Sequence, residues 1–542
     1  MALYARAKDN NGAGDDNRGG RRWRRLRYRM LLAAIALPAV VYVTGLLINL
    51  GAGRMRGFNV VSELTPVNPG NLRIYFDLTG VDRDGERVTE HETFDALLEM
   101  IAEAEREIVL DLFLVNRYHF DRSTPFYRDT SQELVDALVE SRRRHPDIFI
   151  LFVTDMINSG YQESCPPALL PLVEAGGHVV LTDLHQLPDS NFVYSPFYRV
   201  LRHLGWLAGP VIDRRFLPNP FDPEAERFSL RQMSRALNFK ANHRKVAAVR
   251  RADGRWSAMV GSGNPHSASS AHGNLAVILD NEGPIHDIVF SEYNLARASL
   301  LRRPQLYFGP DTATELVREL ERRVRQWPAM PPLYDGEDGV MVQYLSELEV
   351  ARRLDRMLAT ADSGDRIEMM MFYLSDPKVI EGLRAAAERG AQLRLLLDPN
   401  IDAFGRNKHG VPNRVTAHRL LGWAEAEAGR DVRVRWFLTH GEQAHFKVIR
   451  LINRHTGHER MLVGSANFTV RNLRGQNLES AFYLENARSL GVRYGEVFER
   501  LWDNCDDVLY TVGFQAYQSS GWRLAIMRAM KFIGNRSGLC TY

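Results

Sequence analysis

Two copies of His-x-Lys, each followed by Gly-Ser-x-Asn, are the residues of this chain best suited to chemistry. The first copy is His243-Arg244-Lys245 with Gly261-Ser262-Gly263-Asn264; the second is His445-Phe446-Lys447 with Gly464-Ser465-Ala466-Asn467. The chain has only seven lysines against sixty-two arginines. With sixteen histidines, about 0.2 His-x-Lys pairs would arise by chance under independent-site logic. The repeat of the whole constellation therefore signals a duplicated half-site. Imidazole titrates near neutral pH, so one histidine can attack phosphorus while the other protonates a departing alkoxide. Two ammonium groups and two side-chain amides suit the charge that develops on non-bridging phosphoryl oxygens. The chemistry this points to is substitution at a phosphodiester.

Each motif must be carried on a strand. Alternate residues of a strand share a face, so His and Lys at i and i+2 project together from the apolar runs Lys245–Val249 and Lys447–Ile449. The turns at 252–254 and 454–457 then predict hairpins that return each Gly-Ser-x-Asn beside its own His and Lys. A wider repeat supports two tandem halves. Residues 106–115 align by character with 366–374, and each run is followed by a helical pattern, Ser131–Arg144 or Pro377–Arg389. Each helix leads to a further buried strand, Ile148–Thr154 or Leu393–Leu397, which ends in Asp155 or Asp398. Apolar runs alternating with helix-period segments indicate an α/β fold. The Pro-rich stretch 327–335 reads as the connector between a first half at 70–326 and a second at 336–512.

At these motifs the chain resembles the phospholipase D superfamily, from about residue 70 to 512. The resemblance implies two tandem α/β/α halves related by a pseudo-two-fold axis, with one active site between them. It implies a covalent phosphohistidine intermediate with no metal or other cofactor, His243 as nucleophile and His445 as general acid. Lys245 and Lys447, with Ser262, Asn264, Ser465 and Asn467, would hold the phosphate. Asn477-Leu478-Glu479 matches the family's Asn-x-Glu, which implies that Glu479 orients the histidine of the opposite half, His243. The first copy has Ala276 at the corresponding count, and Asp280, on the same face of a strand, is the candidate substitute. The family aspartate five residues after each lysine is replaced by Arg250 and Ile452, with Asp253 as a displaced equivalent and Glu459 the next acid in the second copy. His440, His445, His455 and His458 match no standard metal-ligand spacing, and no cysteine lies near them.

The amino-terminal end bears on location. Residues 21–29 hold six arginines, and Met30 to Leu50 follow without a charge, enough to cross a bilayer. A basic tail at 1–29, an anchor at 30–51 and the positive-inside rule place the tail in the cytoplasm and the main domain outside it. The rival is a cleaved signal peptide, for which Gly51-Ala52-Gly53 offers small residues. The Arg-rich, Lys-poor usage is that of a GC-rich bacterial genome, so the membrane expected is a bacterial inner membrane. Cys165, Cys505 and Cys540 are too few and too scattered for a disulfide scaffold, and a formal charge of +3 does not by itself argue for nucleic acid. Tyr194–Trp206 and Trp522–Ile533, the latter within an amphipathic C-terminal segment at 513–542, mix aromatic and aliphatic residues with basic ones. They either pack against the domain or dock it on lipid.

These features lead first to an anchored enzyme acting on membrane glycerophospholipids, phosphatidylglycerol or phosphatidylethanolamine, with water or an alcohol as acceptor. Hydrolysis and cardiolipin synthase-like transfer both remain open. An extracytoplasmic nuclease or other phosphodiesterase is the second reading, and a silent lipid- or protein-binding scaffold the third.

Overall fold

The computed structural model describes residues 16–52, 59–119, 127–202, 211–327, 333–403 and 406–538. Residues 328–332 of the expected connector, the end of the Tyr194–Trp206 segment and Cys540 lie outside these.

The first half contributes β2 (Leu72–Val81), β3 (Arg87–His91), β4 (Glu107–Leu112), β5 (Phe149–Thr154), β6 (His178–Leu181), β7 (Lys245–Arg250), β8 (Trp256–Gly261), β9 (Asn274–Asp280) and β10 (Tyr307–Phe308), after a short β1 (Thr65–Val67). The second half contributes β11 (Val340–Ser346), β12 (Asp365–Met371), β13 (Gln392–Leu397), β14 (Val432–Phe437), β15 (Lys447–Asn453), β16 (Glu459–Gly464), β17 (Ser480–Glu485) and β18 (Thr511–Gly513). They form two nine-stranded sheets, ordered β10-β6-β5-β4-β7-β8-β9-β2-β3 and β18-β14-β13-β12-β15-β16-β17-β11-β1. Read from those ends, the sheets correspond strand for strand. β4, β5 and β6 run parallel, as do β12, β13 and β14, while the motif strands β7 and β15 are antiparallel to β4 and β12. This is the α/β architecture of two tandem halves.

The anticipated hairpins are present as β7–β8 and β15–β16. Leu112 lies opposite Lys245 and Met371 opposite Lys447, so Leu112 corresponds to Met371 and Phe113 to Phe372. The expected alignment of Arg106 with Arg366 is therefore one residue out, and Asp365 is the true counterpart. Thr65–Val67 precedes the first half but pairs with β11 at the edge of the second sheet. The halves thus interlock through the segment that precedes the first half.

Strands β4 and β5 are buried on both faces, as their unbroken apolar runs require. The largest core lies between the two sheets, where Phe76, Val109 and Val246 of the first share a cluster with Tyr344, Val448 and Phe482 of the second. Helices α4 (Pro284–Arg302) and α6 (Arg488–Asp503) add Ile288 and Val289, and Tyr494 and Phe498, to it. The outer faces carry separate cores, under α2 (Thr130–Arg144) on one sheet and α5 (Pro377–Glu388) on the other.

Inside the shared core lies a fully buried ion cluster. Arg244, the middle residue of the first motif, donates to Glu292 Oε1 and Ser291 Oγ, both at 2.9 Å, within its own half. Its Nε donates to Glu347 Oε1 of the second half at 2.9 Å. Glu347 sits at φ 55, ψ −123, a backbone conformation that costs on the order of 1–3 kcal/mol for a side-chain-bearing residue. The cluster holds it there. Replacing Arg244 by Ala leaves two buried carboxylates unpaired and should lower stability by about 3–5 kcal/mol. Thermal and denaturant unfolding followed by circular dichroism checks this; a loss below about 1 kcal/mol would show that the halves do not depend on the cluster.

Candidate active site

The two motifs meet through a reciprocal exchange between the halves. Asn242, just before His243, forms a parallel bridge with Leu478, just before Glu479; Ala444, just before His445, forms one with Gly273, just before Asn274. His243 N donates to Leu478 O at 2.9 Å, and Gly273 N to Gln443 O at 2.9 Å. Each histidine is thereby set against the loop that leads into β17 or β9 of the opposite half.

The two histidine environments repeat closely. Phe113 and Phe372, just past the ends of β4 and β12, pack against His243 and His445 with ring centroids 5.0 and 5.2 Å apart. Lys245 Nζ lies 5.0 Å from the Phe113 ring and donates to His243 O at 2.7 Å; Lys447 Nζ lies 5.5 Å from Phe372 and donates to His445 O at 2.6 Å. Asp155 accepts from Asn242 N at 2.7 Å and Asp398 from Ala444 N at 2.8 Å. Burial lifts both carboxyls to about 7, against these backbone hydrogen bonds. The acids expected only to end strands therefore clamp the backbone before each histidine.

Behind the histidines the symmetry breaks. His243 Nδ1 lies 3.0 Å from Glu479 Oε2. Glu479 is fully buried, accepts from Ser465 Oγ and Asn472 Nδ2 as well, and its N donates to Glu347 Oε2 at 2.8 Å. His445 Nδ1 lies 3.2 Å from Asn274 Oδ1. The amide's orientation is fixed, since its Nδ2 donates to His272 O at 3.0 Å and Asp77 Oδ2 at 3.3 Å. Strand register explains the pairing: Gly261 faces Ala276 and Gly464 faces Ala481, so Asn274 and Glu479 each stand two residues earlier. The first loop is two residues shorter, and a count from Asn264 overshoots to Ala276.

Asp280 is thus not the residue behind His445. It lies at the far end of β9, where it accepts from Ser257 Oγ and pairs with Arg73 at 2.5 Å. Ser262 and Ser465, expected on the phosphate, are also spent elsewhere. Their hydroxyls donate to Asn274 Oδ1, at 3.3 Å, and to Glu479, and accept from Leu275 N and Ser480 N, both at 3.0 Å. Each serine locks the group that orients a histidine. The motif glycines are needed for close approach: a Cβ at Gly464 would stand 2.2 Å from Ser480 O, and one at Gly261 2.9 Å from Leu275 O. Asn264 and Asn467 each keep a buried Oδ1 without a hydrogen-bond partner.

Asp253 pairs with Arg255 in the exposed hairpin turn, and Glu459 pairs with Arg450 at 2.6 Å. Ile452 stands five residues along β15 from Lys447, about 17 Å in a strand. The replaced family aspartates therefore lie far from the histidines. His455 and His458 occupy the β15–β16 turn at that same distant end. Among the described residues no cluster of ligands could hold a metal ion.

Burial dominates the site's electrostatics. It pushes His243 down to about 4, with Glu479 opposing and Lys245 reinforcing, and it pushes Lys245 down to about 7. His445 and Lys447 fall well below their usual ranges, also through burial, with Lys447 and His272 adding for the first and Lys245 for the second. Two histidines and two lysines thus share one site with Glu479, and a further anion beside them would favour their protonated forms. Sequence reasoning missed Asn274, Asn472, Glu347 and His272, whose ring centroid is 5.9 Å from His445. Counting from paired strands rather than from Asn264 would have found Asn274.

Residues 354–502, most of the second half, match the family model described as cardiolipin synthase, phospholipase D-like domain. No curated protein sequence matches the chain. Among solved structures, the phosphatidylserine synthase of Haemophilus influenzae Rd KW20 superposes with a TM-score of 0.51 at 8% identity, covering 91% of this chain and 98% of that one. Polyphosphate kinase of Porphyromonas gingivalis gives 0.39 at 13% identity over 85% and 53%. The phospholipase D family member Nuc of Salmonella typhimurium gives 0.24 at 18% identity over 32% and 97%. The first is a likeness of fold across nearly the whole chain; the other two are too distant to add to it. Residues 354–502 are therefore similar to the phospholipase D-like domain of that family model, and nearly the whole chain shares the fold of the phosphatidylserine synthase structure.

Proposed function

We propose that this protein cleaves or exchanges the phosphodiester of membrane glycerophospholipids through a phosphohistidine on His243. The observation that carries this reading is the pairing of His243 Nδ1 with Glu479 across the halves. A ring whose Nδ1–H is spent on a carboxylate presents its Nε2 lone pair to the pocket. Glu479 also steadies the positive charge that the ring acquires when Nε2 bonds to phosphorus.

The anionic substrate raises the basicity of His445, which enters the reaction as imidazolium. His243 Nε2 attacks phosphorus, the bond to the leaving oxygen breaks, and His445 Nε2–H protonates that oxygen. Neutral His445 then takes a proton from water or an acceptor hydroxyl. The resulting oxygen nucleophile displaces His243, restoring both rings. Lys245, Lys447, Asn264 and Asn467 hold the non-bridging oxygens as charge builds there. No redox step or cofactor is needed for this balance.

The substrate class follows from the amino-terminal helix α1 (Asp16–Ala52). It contains an apolar stretch, Trp23–Gly51, long enough to span a bilayer and almost wholly exposed. With the arginines of residues 21–29 in the cytoplasm, the site faces the extracytoplasmic leaflet of a bacterial inner membrane. Phosphatidylglycerol and phosphatidylethanolamine are the substrates this placement offers, with water or a lipid alcohol as acceptor.

Full-length protein and its His243→Ala variant, given vesicles of both lipids, test this by mass spectrometry of the products. Phosphatidic acid denotes hydrolysis, and cardiolipin or another new phosphatidyl ester denotes transfer. Either should vanish with the variant while its unfolding curve stays unchanged; a folded, fully active variant would refute the assignment.

Asn274→Asp tests the division of labour between the histidines. A carboxylate behind His445 favours its imidazolium, so the His445 limb of the kcat/KM profile should move to higher pH by about one unit or more. Asn274→Ala should lower the rate without that upward shift. An unmoved limb in Asn274→Asp would remove His445 from proton transfer.

A further inference from the structure

Helix α7 (Gly521–Ser537) is amphipathic in the reverse sense for a helix packed on a water-soluble domain. Its inward face carries Met527, packed with Val411 and Val415, and Lys531, whose Nζ donates to Thr416 Oγ1 at 2.6 Å. Its outward face presents Trp522, Ile526, Phe532 and Ile533, which are 65, 49, 62 and 61% exposed. Arg523 and Arg528, both exposed, flank that apolar face on either side. Such a surface is costly in water and suited to the boundary between lipid headgroups and acyl chains.

The membrane helix shows what covers it. The carboxyl-terminal turns of α1 dock on α3 (Ser195–Leu201) and the loop before it. Tyr42 Oη donates to Phe192 O at 2.8 Å, and its ring centroid lies 5.4 Å from that of Phe197. A Cβ at Gly45 would meet Pro196 O at 1.9 Å, so the helices touch backbone to backbone. Asn49, polar within the apolar span, accepts from Asp189 N at 2.8 Å and from Arg199 Nη2 at 3.2 Å. Asp189 in turn is paired with buried Arg199 and Lys240. An amide inside a membrane helix needs such a partner, and here the partner is the domain itself.

The end of α7 reaches the same loop. Its cap Gly538 abuts Ser190 and Asn191, and Gly538 O accepts from Arg471 Nη2 at 3.1 Å. Arg471 Nη1 also donates to Phe239 O at 2.7 Å, four residues before His243. Exposed Phe192, Val193 and Leu201 lie on this segment. The membrane helix, the outward apolar helix and the approach to the first motif therefore converge on residues 187–201.

We propose that α7, together with the rim at Phe192, Val193 and Leu201, lies in the interface of the bilayer that α1 spans. Arg523 and Arg528 meet anionic lipid phosphates while Trp522, Ile526, Phe532 and Ile533 enter the acyl boundary. The catalytic domain is then held against the membrane at two points, and lipid reaches the site laterally. The proposal rests on α1 being a membrane helix, and it deepens the proposed function by fixing where substrate is drawn from.

Full-length protein in nanodiscs of phosphatidylglycerol and phosphatidylethanolamine, some brominated in the acyl chains, tests the docking without reference to activity. The brominated lipid should quench the Trp522 emission, measured as the difference between wild type and Trp522→Phe; an unquenched Trp522 would overturn the proposal. Phe532→Glu with Ile533→Glu should lower turnover of vesicle lipid about tenfold or more, since two apolar side chains leave the lipid. Turnover of a short-chain lipid dissolved as monomers should stay within about twofold, because the site is untouched. Unchanged vesicle turnover, or equal loss on both substrates, would overturn the docking role. If wild type turns over neither lipid, the proposed function fails while the quenching still decides the docking.

Discussion

The structure depends on one constraint: neither half can complete a histidine site without the other. The backbone before His243 is paired with Leu478, and the backbone before His445 meets Gly273. The side chain behind each ring comes from the opposite half. Buried polar groups of this kind hold only when every partner is supplied. The shared core, the Arg244–Glu347 pair and the placement of β1 on the second sheet all serve to keep the halves in register. Glu347 joins the levels, for it accepts from Arg244 within the core and from the backbone of Glu479 in the site.

Within that frame the two histidines are made unlike by a single substitution, Glu479 behind one and Asn274 behind the other. A carboxylate and an amide can fix the same tautomer, but only the carboxylate supports positive charge on the ring. The proposed division of labour follows that difference: the ring that acquires positive charge on forming the bond to phosphorus is the one backed by Glu479. Burial holds the two lysines and the two histidines of the site below their usual ranges, with Glu479 opposing it at His243. In the proposed function the anionic phosphodiester offsets this effect of burial as it binds.

Much of this was legible in the chain. The two His-x-Lys runs, their hairpins and the wider repeat carried the α/β halves and the meeting of the two motifs, because strand periodicity and short turns are local properties. What escaped depended on distant partners. Asn274 was hidden because a loop two residues shorter moves the position relative to Asn264, and only the pairing of Gly261 with Ala276 restores the count. Asp280 shares the strand but sits at its far end. Ser262 and Ser465 were expected on the phosphate, yet their hydroxyls face the orienting side chains. Arg244 occupied a position of free identity in the motif, and nothing local marks it as the buried link between halves.

The proposed anchor and the proposed membrane face of α7 converge on the loop beside the first motif. The central chemical claim is best tested by rapid alkaline quenching of full-length protein during turnover of phosphate-labelled phosphatidylglycerol, followed by peptide mapping of the label. An alkali-stable, acid-labile label on His243 is expected. Label on His445, or steady turnover with no labelled histidine at any time point, would contradict the assignment of His243 as nucleophile.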